Sequence, residues 1–132
     1  MSTVLTFGTF DVFHVGHLRL LERAAALGEK LVVGVSSDAL NLAKKGRVPI
    51  YPQTERMAIV GALRCVHDVF VEESLELKRQ YIFDRKADIL VMGDDWRGKF
   101  DYCSDIVEVV YLERTPSVST TAIIETIVAG RS

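Results

Sequence analysis

Two histidines, His14 and His17, stand three residues apart where an apolar run gives way to a helical pattern. Imidazoles at positions i and i+3 of a first helical turn point to the same side, so the pair can meet one ligand. Each can donate hydrogen bonds to phosphate oxygens and carry positive charge near neutral pH. The alternatives are two polar residues of a surface loop, or a zinc site. Zinc needs at least a third ligand, and His67 belongs to an unrelated segment. A strand-to-helix junction gathers free backbone N–H groups, which favours an anion. Residues 8–17, GTFDVFHVGH, contain neither the G-x-G-x-x-G of dinucleotide-binding turns nor the G-x-x-x-x-G-K-[ST] of P-loops, so hydride transfer and kinase chemistry lose their main support.

Three other stretches carry candidate groups. Residues 43–52, with Gly46, Pro49 and Pro52, read as irregular, and Lys44, Lys45 and Arg47 make them either a flap for anions or a solvated basic loop. In residues 92–101, MGDDWRGKFD, Gly93 allows close backbone approach. Asp94 and Asp95 there can accept from ribose hydroxyls, lie near a metal, or simply cap turns. Trp96 is placed to pack on a base or to cover the core edge. Residues 113–121, ERTPSVSTT, precede an apolar helical pattern for which Ser119 or Thr120 is the N-cap. In isolation this is an ordinary cap with a solvated arginine. Combined with the first loop, two helix N-termini, both histidines and Arg114 would converge on a polyphosphate.

Strand-like runs at 4–7, 31–35, 68–71, 89–92 and 107–112 position these groups, alternating with helical patterns at 15–27, 53–63, 75–85 and 119–128 and a single short turn at 38–42. Gly28 closes the first helix. The alternation predicts an α/β fold, Rossmann-like in three layers, with a five-stranded parallel sheet and helices on both faces. The strands are apolar almost throughout, as in a sheet covered on both sides. Ligands bind such sheets beyond the carboxyl ends of the strands, where all four stretches lie.

The chain has 132 residues, 48% of them apolar, and a formal charge of −2. That is enough for one core, so residues 1–132 are expected to form a single domain. The balanced charge gives no broad basic surface, which argues against nucleic acid as a principal partner. Neither a membrane-spanning run nor a leader segment is evident, so a cytoplasmic protein is expected. Cys65 and Cys103 lack CxxC or zinc spacing and read as inert thiols.

The segment GTFDVFHVGH resembles the signature of the HxGH nucleotidyltransferase superfamily. Across residues 4–128 the chain is similar to the glycerol-3-phosphate cytidylyltransferase family: LVVGVSSD, Asn41-Leu42 with Lys44, Glu55-Arg56, MGDDWRGKFD, EVVYLERT and the final STT follow the family's order and spacing. The chain departs from the family in the flap, where Lys44-Lys45-Gly46-Arg47 is one residue longer and Arg47 stands in for a second lysine. An arginine presents a planar fork rather than a point charge, which touches acceptor identity more than reaction class.

The resemblance implies that CTP and glycerol 3-phosphate give CDP-glycerol and pyrophosphate by in-line attack at the α-phosphorus, with Mg²⁺ and as a homodimer. His14, His17, Lys44 and Arg114 would be catalytic. Gly8, Thr9, Phe10, Gly16, Gly93, Asp94, Arg114, Ser119 and Thr120 would hold the nucleotide. Asp11, Lys44, Arg47 and Arg56 would hold the acceptor; the metal-contacting residues are left open. Protonated imidazoles would stabilise the developing charge best, so activity is expected to fall as the histidines deprotonate. The alternatives are CTP or ATP with another phosphorylated acceptor, or a nucleotide-binding module without turnover.

Overall fold

The computed structural model describes residues 2–114 and 119–130. Five strands form one parallel sheet: β1 (Thr3–Gly8), β2 (Lys30–Ser36), β3 (Asp68–Glu72), β4 (Ile89–Gly93) and β5 (Glu108–Leu112). Their order is β3-β2-β1-β4-β5, so chain direction across the sheet reverses between β1 and β4. A crevice opens there at the carboxyl ends, because the connections leave those two strands toward opposite sides. Thr6 ties the two strands below the crevice, its buried hydroxyl donating to the Val91 carbonyl at 2.6 Å.

Alternating strand residues feed two cores. Val4, Leu31, Val33, Val35 and Val91 pack on one face with Leu21 and Ala24 of α1 (Val15–Ala25) and Val60 of α3 (Gln53–Gly61). Leu5, Phe7, Val32, Leu90 and Met92 pack on the other with Ile82 of α4 (Lys78–Asp84) and with Phe100 and Cys103. Both faces are therefore covered, as the apolar strands predict. Gly34 in β2 makes room for the aromatic cluster: a Cβ there would lie 2.5 Å from the Phe7 ring, which meets Phe70 edge-on at 5.8 Å.

Several boundaries differ from the sequence reading. The expected turn at 38–42 is the eight-residue helix α2 (Asp38–Lys45), capped by the Ser37 hydroxyl and closed by Gly46 at φ +74°. Lys44 and Lys45 thus stand on a helix, and the irregular stretch begins only after them. Helix α1 stops two residues early, and Gly28 is needed for close approach, since a Cβ there would lie 2.7 Å from Val4. The helix expected over 75–85 opens as a single 3-10 turn, Leu75–Leu77, before α4. The final helix, α5, spans Thr120–Val128. Residues 115–118 of the ERTPSVSTT stretch lie outside the described residues.

Candidate active site

The histidines are locked to each other. His14 is the N-cap of α1, and its Nδ1 accepts from the Gly16 N–H at 3.0 Å. The His17 Nδ1 accepts from the His14 N–H at 3.1 Å, completing a reciprocal capping box. The rings stack with centroids 3.8 Å apart, and Phe10 and Phe13 enclose His17. A neutral imidazole carries one proton, so a ring whose Nδ1 accepts must bear it on Nε2. Burial and the neighbouring His14 lower the His17 pKa to about 4, against a smaller upward pull from Asp11. His14 is lowered too, by burial and by the Arg114 guanidinium. Both rings are thus neutral Nε2–H donors at physiological pH. That is the state of the ligand-free site, where a second proton on Nδ1 would break the capping box.

The loop between β1 and α1 is strained where it turns beneath the crevice. Phe10 and Val12 sit at φ +55° and +46°, a left-handed conformation that a β-branched residue rarely adopts. A Cβ on Gly8 would lie 2.8 Å from the Phe10 ring, so the preceding glycine is required by this packing. Such strain persists only where surrounding contacts hold it, and Asp11 supplies them. Its carboxylate accepts from the N–H groups of Val12 (3.0 Å), Ile50 (2.8 Å) and Tyr51 (2.8 Å). Its carbonyl accepts from the Thr120 hydroxyl at 2.8 Å. Asp11 therefore fastens both the flap and the start of α5 to the histidine loop.

Arg56 is fully buried and does not present its guanidinium to the crevice. It donates to the carbonyls of Tyr51 (3.0 Å), Thr9 (2.9 Å) and Ser36 (2.8 Å) and to the Asp38 carboxylate (2.7 Å). Four of its five N–H donors are engaged in joining flap, loop, β2 and α2. The expected acceptor contact gives way to a brace. Thr9 is held from the same side by Asn41 and Ser36, through hydroxyl and amide contacts of 2.9–3.1 Å.

The crevice divides into three adjoining spaces. The largest, of about 640 Å³, lies between Asp11, Arg47, Ile50, Gly93, Asp95 and Trp96. A second, of about 250 Å³, is lined by His14, Gly16, His17, Arg114, Ser119 and Thr120. The structure thus brings together the groups expected around a polyphosphate. The Ser119 hydroxyl accepts from the Ala122 N–H at 3.0 Å and keeps its own proton free to donate. Arg23 of α1 donates to the Glu113 carbonyl at 2.6 Å, steadying the approach to Arg114.

The paired aspartates separate in role. Asp94 turns to Arg97, 2.6 Å away, whereas Asp95 borders the large space and lies 3.5 Å from the Arg114 guanidinium. Two adjacent acids in a turn carry no local signal of which one faces inward; the resemblance points to Asp94, and Asp95 is the one that borders the space. Among the described residues no group of three His, Cys, Asp or Glu side chains could hold a metal, and Asp11 already serves backbone donors.

Gly93 borders both spaces, and nothing lies within 4 Å of where its Cβ would point. Its φ of −65° and ψ of 156° suit any residue. Gly93→Val is therefore expected to change folding stability by less than about 1 kcal/mol, within the range of ordinary surface changes. It should nonetheless weaken binding of the nucleotide that the sequence resemblance implies at least a hundredfold in calorimetric titration. Undiminished binding would place the nucleotide elsewhere.

A profile of the cytidylyltransferase-like family matches residues 5–126. The glycerol-3-phosphate cytidylyltransferase of Bacillus subtilis (strain 168) is 48% identical over 127 residues, spanning 96% of this chain and 98% of the relative. That of Bacillus spizizenii (strain ATCC 23059 / NRRL B-14472 / W23) is 44% identical over 123 residues, spanning 93% and 95%. Among solved structures, a lipopolysaccharide core biosynthesis protein from Thermoplasma volcanium GSS1 superposes with a TM-score of 0.77 at 26% identity. That match covers 87% of this chain and 98% of the other.

Proposed function

This chain belongs to the cytidylyltransferase-like family, and within it we propose that it is a nucleotidyltransferase joining CTP and glycerol 3-phosphate to give CDP-glycerol and pyrophosphate. Near-complete mutual coverage with relatives of that name supports the substrate pair. The observation that carries the chemistry is the stacked pair of Nε2–H imidazoles beside Arg114 and the capped start of α5.

A phosphate oxygen of the acceptor attacks the α-phosphorus of CTP while the bond to the bridging oxygen of the β-phosphate breaks, releasing pyrophosphate. A phosphate monoester is largely dianionic near pH 7, so it needs little help from a base. The protein positions two anions and offsets the charge that gathers on the transferring group. His14 and His17 donate to CTP phosphate oxygens. Arg114, Ser119, Thr120 and the backbone of the two helix starts hold the outer phosphates. Gly8, Thr9, Phe10 and Gly16 shape the floor, and Gly93 leaves room for the nucleoside with Asp95, rather than the Arg97-paired Asp94, at its edge.

Lys44, Lys45 and Arg47 lie at the acceptor side, with Asp11 and Arg56 holding the flap from behind. Burial lowers the Lys44 pKa, and the Glu72 carboxylate works against that shift. We read Mg²⁺ as a companion of CTP, bound through its phosphates and offsetting their charge. We also propose a single domain that works as a cytoplasmic homodimer. No helix among the described residues is long and apolar enough to cross a membrane.

Pyrophosphate release with Mg²⁺, crossing CTP and ATP against glycerol 3-phosphate and other phosphorylated acceptors, tests this reading. Turnover confined to CTP with glycerol 3-phosphate is expected. A preference for ATP or another acceptor would move the substrate assignment, and CTP binding without turnover on any acceptor would favour a binding module.

A further inference from the structure

Of the three spaces in the crevice, the third, of about 350 Å³, borders Thr9, Lys44, Glu72 and Trp96. The space around the histidines is walled by three separate elements: the start of α1, the start of α5, and Arg114 just past β5. The capping box fixes the first wall and the Ser119 cap the second. The third wall follows the edge strand, which pairs on one side only and ends its ladder with Leu112 opposite Gly93. Glu113 and Arg114 lie beyond that ladder.

One side chain reaches them. Arg23 stands exposed in the last turn of α1, where a cation offsets the helix dipole. Its Nη1, however, points away from its own helix and donates to the Glu113 carbonyl at 2.6 Å, across ninety positions of sequence. Among the described residues no other hydrogen bond holds the backbone of Glu113 or Arg114.

His14, His17, Leu20 and Arg23 recur every three residues and form one stripe along α1, with Leu20 bordering the same space as the histidines. Leu21 and Ala24 anchor that helix in the core. The helix thus acts as a ruler: its start carries the imidazoles and its last turn clamps the carbonyl next to Arg114. Asp95 meets the Arg114 guanidinium from the other side, at 3.5 Å and largely in solvent.

We propose that Arg23 is a positioning residue for Arg114: through the Glu113 carbonyl it sets the distance from the guanidinium to the imidazole pair, so that both meet one polyphosphate. This rests on the transferase reading above and adds a residue that acts without touching either substrate. A donor misplaced by about 1 Å can lose much of its effect on rate while the fold stays intact.

The test is a double-mutant cycle with Arg114→Ala. Arg23→Ala is expected to lower kcat/KM for CTP by about tenfold or more in the native background. In the Arg114→Ala background the fall should be less than about twofold, because nothing remains to be positioned. The melting temperature should move by less than about 2 °C, as for other exposed substitutions. Arg23→Lys, whose ammonium can still donate to that carbonyl, should return to within about threefold of the native value. An equal fall in both backgrounds overturns the proposal, since Arg23 would then act through the fold or through its charge on the phosphates. An undiminished kcat/KM in Arg23→Ala overturns it as well. Where Arg114→Ala turns over too slowly to assay, the same cycle in calorimetric CTP affinity decides. A native protein that transfers CTP to no phosphorylated acceptor withdraws the transferase reading, while the affinity cycle still reads whether Arg23 acts through Arg114.

Discussion

Replacing His17 with alanine should lower kcat by two to three orders of magnitude while leaving the KM for CTP within a few-fold. The side chain donates from Nε2, and removing one preorganised donor to a developing oxyanion typically raises the barrier by about 3 kcal/mol. Binding changes less, because the ground-state triphosphate keeps Arg114 and the two helix starts. Stability should fall by about 1 kcal/mol, since the Nδ1 contact to the His14 N–H is a helix cap. His17→Gln separates the two roles: its amide oxygen can accept that N–H and recover the stability, but not the turnover. An Ala variant with near-native kcat would remove His17 from the chemistry.

The same residue sets a sign for acid sensitivity. Its folded pKa of about 4 lies below the ordinary 6.5, so the unfolded chain binds more protons between those values. Stability contributed by neutral His17 is present above pH 6.5 and lost as the pH falls toward 4. That slope should be absent in His17→Gln.

Arg56→Lys should lower the melting temperature by roughly 10 °C, corresponding to about 3 kcal/mol in a domain of this size. Lysine keeps the charge but cannot span three carbonyls and a carboxylate, so the carbonyls of Thr9, Ser36 and Tyr51 lose their shared donor. The flap should loosen as a consequence, with faster hydrogen exchange at the Ile50 and Tyr51 amides and a raised KM for the acceptor. A direct phosphate ligand would behave otherwise: Lys in place of Arg would raise KM with little change in melting temperature.

The contrast between His17 and Arg56 marks what is legible in a sequence of this kind. Apolar periodicity located the five strands and four main helices to within a few residues, because both cores demand that spacing. The i, i+3 spacing of His14 and His17, and the capping hydroxyl at Ser119, place groups on known sides of known helix ends. Those inferences needed only local geometry. The direction of a charged side chain needs the tertiary partners. Arg56 and Asp11 look like binding residues, and the structure shows each also as a brace, one reaching three carbonyls and the other three N–H groups, while Asp11 still borders the crevice. Glu72 and Lys78, six residues apart, are buried together by a strand end and a helix start, a pairing that no local pattern announces. The protonation state of the histidines was hidden for the same reason: it depends on which ring nitrogen meets a backbone N–H.

The pH dependence of kcat, measured from pH 5.5 to 9 with saturating CTP, Mg²⁺ and glycerol 3-phosphate, bears most directly on the chemistry assigned to the histidine pair. Neutral Nε2–H donors and a dianionic acceptor should give a plateau from about pH 7 to 8.5, with loss only on the acid side as the acceptor phosphate gains a proton near pH 6. A kcat that peaks near pH 6 and falls tenfold per unit above it would show that imidazolium is required, and would contradict the arrangement of the capping box as the catalytic state.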